Sequence, residues 1–337
     1  MDLAVIVVDG RVLGGNPTGI QRVARGLLDG LDALGVEHRV LAPAGVRDSR
    51  VDRTLPAGHP RLWEQVVLPA VAGRRTTLSL ANTAPVAARR SVVFVHDLAP
   101  QLHPEWFAPR MAWYARTVAA SVRRAHRVLV PSEAVRRQVA ETLGKALADV
   151  VVVRPAVEGT PPPPSVVAGA RERYGLAARY AVLVGWADPR KDLATALAAH
   201  RQVLPDVPHE LVLIGRPHPN LAPVTAPPDP AVRLLGGLPD EDLRAVLAGA
   251  DVLLHPSRFE GFGLPPLEAW SCGTPALVAD VPAVREATLD RAPVLPVGDT
   301  AAWAAALAGA LRQRLPVPDL PAWTWSDAAA ELARALA

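Results

Sequence analysis

Residues 251–280 read DVLLHPSRFEGFGLPPLEAWSCGTPALVAD. The order within them is strand (252–254), loop, helix, turn and strand (276–278). Gly261 and Gly263 let the backbone pass close to a ligand, Pro265 suits a first helical turn, and Gly273 suits a helix exit. The helix is thus expected to start near Leu264, at the carboxyl end of a parallel strand, with its unpaired amides available to a phosphate. Glu260 lies in the loop before that start and Glu268 about a turn inside the helix, so both carboxylates reach one ligand lying across it, at different points. Carboxylates accept strongly from sugar hydroxyls, but beside a diphosphate they need compensating positive charge. Arg190 and Lys191, after the apolar run 181–184, are placed to supply it. The spacing of the two glutamates alone fits ordinary surface positions equally well; the flanking strand, glycines and prolines carry the functional reading.

Outward from this stretch the alternation of strand and helix repeats. Strands are expected at 181–184, 211–214, 252–254, 276–278 and 294–297, with helices between them. In the first half, 3–8 is an apolar, β-branched run followed by a glycine-bearing loop and a helix. Thr18 and Gln21 have capping-box spacing there, and Ile20, Val23, Ala24, Leu27, Leu28 and Leu31 recur at helical intervals. Further strands fit 91–95, 127–130 and 150–153, a helix fits 109–125, and Ser132 and Gly144 bound another. Four consecutive prolines, 161–164, favour an extended connection. The expected fold is α/β, with two doubly wound Rossmann-like domains, 1–158 and 159–337, facing each other across a cleft. The alanine-rich helical pattern of 326–337 is free to pack on either, including back on the amino-terminal domain.

Bulk properties narrow the function. A length of 337 residues suits two cores, and an apolar half with a charged fifth is globular. The net charge of +3 is spread along the chain, which gives no footprint for nucleic acid. A lone Cys272, no basic leader at the start, and apolar runs all shorter than the roughly 20 residues of a membrane helix point to the cytoplasm. Only Lys145 and Lys191 are lysines.

In its form EGFGLPPLE the central motif resembles the E-x7-E motif of the retaining glycosyltransferases of family 4, a GT-B group that includes many bacterial mannosyltransferases. VRLLGGLPDEDLRAVLAGADVLLHPS resembles that family's approach to the motif, VLVGWADPRKDL its phosphate loop, and NPTGIQRVARGLL and VVFVHDLAPQLHPEWF its amino-terminal segments. The resemblance covers most of the chain. It implies that Glu260 takes the transferred sugar's hydroxyls, Glu268 the nucleotide ribose, and the amides of Phe262, Gly263 and Leu264 the sugar and phosphates. Arg190 and Lys191 then hold the diphosphate, Gly19 lets the first helix face the donor, His96 approaches the donor sugar, and Leu238 marks where the base is held. Two departures stand out: Trp186 follows Gly185 where many members have arginine, and Arg154-Pro155-Ala156 occupies a loop where glycine is common.

Competing readings are weaker. Asp240-Glu241-Asp242 has the look of a metal-binding DxD, but it follows Pro239 and opens a helix whose dipole it complements, so no catalytic metal and no cofactor are expected. His209-Glu210 lacks the second histidine of a zinc-protease helix. His96 at a strand end fits a satisfied core residue, yet Asp97 and the opening of its loop favour function. Gly14-Gly15 to Gly19 lacks dinucleotide spacing. A nucleotide-sugar epimerase or a non-catalytic sugar-nucleotide binder shares the architecture. The resemblance favours metal-independent transfer from GDP-mannose, with UDP- or dTDP-sugars open, to a hydroxyl of a glycan, lipid-linked glycan or small molecule. Arg110, Arg116, Arg123 and Arg124 with Trp106 and Trp113 fit a solvated face or, less commonly, a peripheral contact with the anionic inner face of the membrane.

Overall fold

The computed structural model describes residues 5–15 and 18–336; Leu3 and Ala4 of the expected first strand, Asn16 and Pro17 of the loop motif, and Ala337 lie outside them. The chain forms two compact units. One takes the residues up to Leu102, Ala112–Ala156 and the stretch from Trp323 on; the other takes His103–Met111 and Val157–Ala322.

The first unit holds β1 (Ile6–Asp9), β2 (His38–Pro43), β3 (Arg53–Leu55), β4 (Thr77–Ser79), β5 (Ser91–Phe94), β6 (Arg127–Val130) and β7 (Val150–Val152). They form a parallel sheet in the order β3-β2-β1-β4-β5-β6-β7. Val92, Val93 and Phe94 of β5 and Val128, Leu129 and Val130 of β6 are all buried, as strands covered on both faces require. The helix Gly19–Ala33 opens with the capping box of Thr18 and Gln21 and buries Val23, Ala24, Leu27, Leu28 and Leu31, while Ile20 stays half-buried. Each buried leucine contributes on the order of 2 kcal/mol. Its glycines accept the helix Trp325–Leu336: a Cβ at Gly26 would overlap the Trp325 ring, and one at Gly30 would stand 2.6 Å from Ala329 Cβ. Ser132 caps Glu133–Leu143 through its Oγ, and Gly144 ends that helix in the left-handed conformation.

The second unit holds β8 (Tyr180–Val184), β9 (Glu210–Ile214), β10 (Val232–Leu235), β11 (Val252–His255), β12 (Ala276–Ala279) and β13 (Val294–Leu295), parallel in the order β10-β9-β8-β11-β12-β13. In both sheets the chain builds outward on one side and then crosses to the other. The reversal falls between β1 and β4 and between β8 and β11, and such switch points open crevices at the carboxyl ends of the strands.

Two expectations need correction. The proline run is not extended throughout, because Pro164 is the first residue of a helix, Pro164–Tyr174. Its fixed φ and missing N–H suit that position as well as they suit an extended chain. The last strand ends at Leu295 rather than at residue 297. Among the described residues no helix is long and apolar enough to cross a membrane.

Candidate functional site

The switch point of the second sheet gathers the chemistry. Beyond β8 the backbone turns at Gly185, whose φ of +82° favours glycine, and enters a short turn, Pro189–Lys191. Gly185 also gives passage to Lys191: a Cβ there would meet Lys191 Cε at 3.3 Å. Beyond β11 the loop carries Glu260, and the helix Leu264–Ser271 starts from Gly263 at φ +106°. Lys191 Nζ lies 2.5 Å from Glu260 Oε1, and His255 Nε2 lies 3.2 Å from the same oxygen. Both donors therefore converge on Oε1.

These contacts fix ionisation. Burial acts to raise the Glu260 carboxyl, but Lys191, the hydrogen bond from His255 and the nearby Arg190 together hold it well below the ordinary carboxylate range. Burial lowers the His255 pKa, with Lys191 adding to that and Glu260 opposing, so the ring is a neutral donor through Nε2. Lys191 has three N–H groups. Its bond to Glu260 uses one.

Arg190 stands near Glu260 with a partner that the sequence did not reveal. Its Nε and Nη2 are bonded to the Asp188 carboxylate at 3.0 and 2.6 Å, so its charge is largely matched by its neighbour. Arg258 pairs with Asp192 at 3.0 Å, and its amide donates to the Arg190 carbonyl at 2.8 Å, which ties the two loops together. Trp186, standing where arginine is common in the family, is buried and donates Nε1 to the Gly215 carbonyl at 3.1 Å. It packs the loop and presents no charge.

Phe262 is buried, Gly263 precedes the helix, Leu264 is its first residue and Glu268 lies buried within it. Leu238 is half-buried in the loop between β10 and the helix Asp240–Gly249. In that helix Asp242 accepts from Arg173 Nη1 at 2.6 Å and the Tyr174 hydroxyl at 2.7 Å. The structure thus brings Arg190, Lys191 and Glu260 together beside the helix that carries Leu264 and Glu268.

Gly19 and His96 belong to the first unit. Gly19 is the exposed first residue of its helix. His96 lies beyond β5, with its amide donating to Asn82 Oδ1 at 2.6 Å and Nε2 donating to the Leu80 carbonyl at 2.9 Å. Burial lowers its pKa, against the Leu80 carbonyl and Asp97, so the ring is neutral with Nδ1 as its acceptor. Trp106 and Trp113, paired in the sequence reading, fall in different units; Trp113 lies beneath the Arg61 guanidinium, 3.2 Å from the ring centre.

Sequence reasoning missed His255. Its only signal was a histidine ending the strand before the motif, a position that equally suits a core residue. Arg216, exposed beyond β9 and lying along Gly236 and Gly237, was also passed over.

Residues 178–313 match the family described as glycosyl transferases group 1. Curated relatives include O-antigen chain mannosyltransferase B of Escherichia coli, 28% identical over 60% of this chain and 56% of that protein. The D-inositol 3-phosphate glycosyltransferase of Kineococcus radiotolerans is 35% identical over 50% of this chain and 43% of that one. The chain thus spans about half the length of these relatives. Among solved structures, Anabaena HepE in complex with UDP superposes with a TM-score of 0.65 at 19% identity, covering 98% of this chain and 94% of that one. The catalytic domain of starch synthase IV from Arabidopsis thaliana gives a TM-score of 0.68 at 12% identity, covering 99% and 98%. With two parallel α/β sheets the chain has the fold of the GT-B glycosyltransferases, and the group 1 match lies wholly within its second unit, where the sequence resembles that of the bacterial mannosyltransferases.

Proposed function

We propose that the protein is a retaining hexosyltransferase, independent of metal, that moves mannose or a related hexose from a nucleoside-diphosphate sugar to an acceptor hydroxyl. The observation that carries this reading is the convergence of Lys191 and His255 on one oxygen of Glu260, beside the start of the Leu264 helix. With Oε1 occupied by two donors, Oε2 is the oxygen for sugar hydroxyls. Lys191 uses its remaining protons, together with the helix amides, on the diphosphate as negative charge develops on it. Glu268 takes the ribose and the loop of Leu238 the base. By the family resemblance, His96, neutral with Nδ1 as its acceptor, is assigned to a hydroxyl of the donor sugar.

The sequence names no obvious carboxylate nucleophile for a double displacement. Transfer is therefore assigned to same-face attack: the bond from the anomeric carbon to the phosphate oxygen breaks, the acceptor oxygen bonds to that carbon, and a phosphate oxygen takes its proton. GDP-mannose is the favoured donor because the curated relatives include mannosyltransferases. UDP- and dTDP-sugars are the alternatives, and HepE has been solved with UDP-glucose. The reaction is assigned to the cytoplasm, and contact of the arginine-bearing helix Met111–Arg124 with the membrane is removed if the protein fails to float with anionic liposomes at low salt.

Proton NMR of the product's anomeric signal, after reaction of an α-linked donor in excess EDTA, tests the proposal. An α-linked product is expected. A β-linked product overturns retention, and strict metal dependence returns Asp240 and Asp242 to consideration as ligands.

A further inference from the structure

A stretch encoded in the first half of the sequence, His103–Met111, belongs to the second unit. It is held there by Ala108 N–H on the Asn220 carbonyl at 2.9 Å, Ala222 N–H on the Trp106 carbonyl at 2.8 Å, an antiparallel bridge between Phe107 and Leu221, and Arg110 on Asn220. This seating places two rings on the motif loop. His103 and Trp106 stack at 3.9 Å with their planes 17° apart, and Phe259 stands edge-on to both at 5.5 and 6.3 Å.

Core packing accounts for only part of this cluster. Phe259 is buried, but His103 and Trp106 remain half-exposed, so apolar ring surface stays in water at about 25 cal/mol per Å². The rim is polar: Glu105, its side chain 62% exposed, lies 3.1 Å from His103 Nδ1. Phe259 directly precedes Glu260, the carboxylate assigned to the transferred sugar. An aromatic face with a carboxylate at its edge complements a pyranose, which offers C–H groups on its face and hydroxyls around its rim. The carboxylate at the rim disfavours a phosphorylated or acidic sugar.

We infer that the half-exposed rings of His103 and Trp106, backed by the buried Phe259, form the platform on which a neutral pyranose ring of the acceptor stacks, with Glu105 taking its hydroxyls. This rests on the glycosyl-transfer reading. The test uses the full chain saturated with UDP or GDP, whichever binds more tightly by calorimetry, and titrates methyl α-mannopyranoside and methyl α-glucopyranoside by saturation-transfer NMR. Saturation of the pyranoside ring protons is expected in the wild type. Trp106→Ala should weaken that binding at least about tenfold, and Trp106→Phe should keep it within about threefold. Nucleoside-diphosphate affinity should be unchanged in both. If Trp106→Ala also loses the diphosphate, His103→Ala is judged by the same criteria in its place. Pyranoside binding equal in wild type and variant, or absent while the diphosphate is bound, overturns the platform alone. A wild type that binds neither diphosphate overturns the glycosyl-transfer reading and the platform with it.

Discussion

One oxygen, Glu260 Oε1, receives both Lys191 and His255, and the consequences of changing each partner differ. Lys191→Ala removes the charge that meets the leaving diphosphate and should lower turnover at least about a hundredfold, the order seen when a transition-state electrostatic partner is lost. It also leaves Glu260 with only His255 among the two partners on Oε1, so some loss of stability should accompany it. Turnover is therefore measured per folded molecule, with circular dichroism as the control, and near-normal turnover would move the phosphate role elsewhere. Glu268→Ala should weaken binding of free nucleoside diphosphate, while Glu260→Ala should leave it nearly intact and depress transfer. Calorimetry separates the two, and equal weakening would show the contacts misassigned. The pairing of Glu260 with Lys191 was legible because a carboxylate in a glycine-rich loop before a helix start needs a cation, and the loop after β8 offers one. His255 was not, since a single buried histidine has no period and no spacing, and only the fold brings its Nε2 to Glu260. Arg190 was legible as a cation but not as Asp188's partner; a contact two residues away in a tight turn depends on backbone geometry that composition does not encode.

The strands that sequence reasoning recovered are the buried apolar ones, such as β6 and β9. Among those it missed, β2 hides a buried Val-Leu-Ala between a His-Arg start and a proline, and the others lack that signature. β3 is an exposed edge of three residues, β4 is buried yet reads Thr-Leu-Ser, and β10 is half-exposed at an edge of the second sheet. Their place is set by neighbouring strands rather than by their own hydrophobicity. The same limit hid the function of Gly26 and Gly30, which as helix residues look merely unfavourable. Their value lies in the Trp325 helix they admit. Gly26→Ala gains helix propensity of about 0.5–1 kcal/mol but drives a methyl into the Trp325 ring, an overpacking cost of about 1–3 kcal/mol. A net loss is expected, read as a lower urea midpoint. Combined with Trp325→Ala, the same alanine should cost nothing further or become stabilising, and additive losses would show that the two do not share one contact.

Across the whole molecule, the pH response should be governed partly by a pair buried behind the second sheet. His200 Nδ1 and His209 Nε2 lie 3.0 Å apart, and His209 Nδ1 donates to the Val207 carbonyl at 2.7 Å. Burial first, then His209 and Arg201, lower the His200 pKa to about 4, with Asp229 opposing; burial lowers that of His209 as well. A histidine that resists protonation only when folded contributes stability above its unfolded pKa of about 6.5 and loses it as pH falls toward the folded value. His200 alone should therefore cost about 2–3 kcal/mol between pH 6.5 and 4, seen as falling urea midpoints. Replacing both histidines with leucine should flatten that slope, and an unchanged slope would place the sensitivity elsewhere. A different consequence follows from the path of the chain. Trp325–Leu336 fills the groove of Gly26 and Gly30 but is translated after the entire second unit, whereas domains usually fold in the order in which they leave the ribosome. The half of this protein that emerges first is thus among the last parts to close, and until translation reaches residue 336 its nascent form carries an open apolar groove for a chaperone to hold.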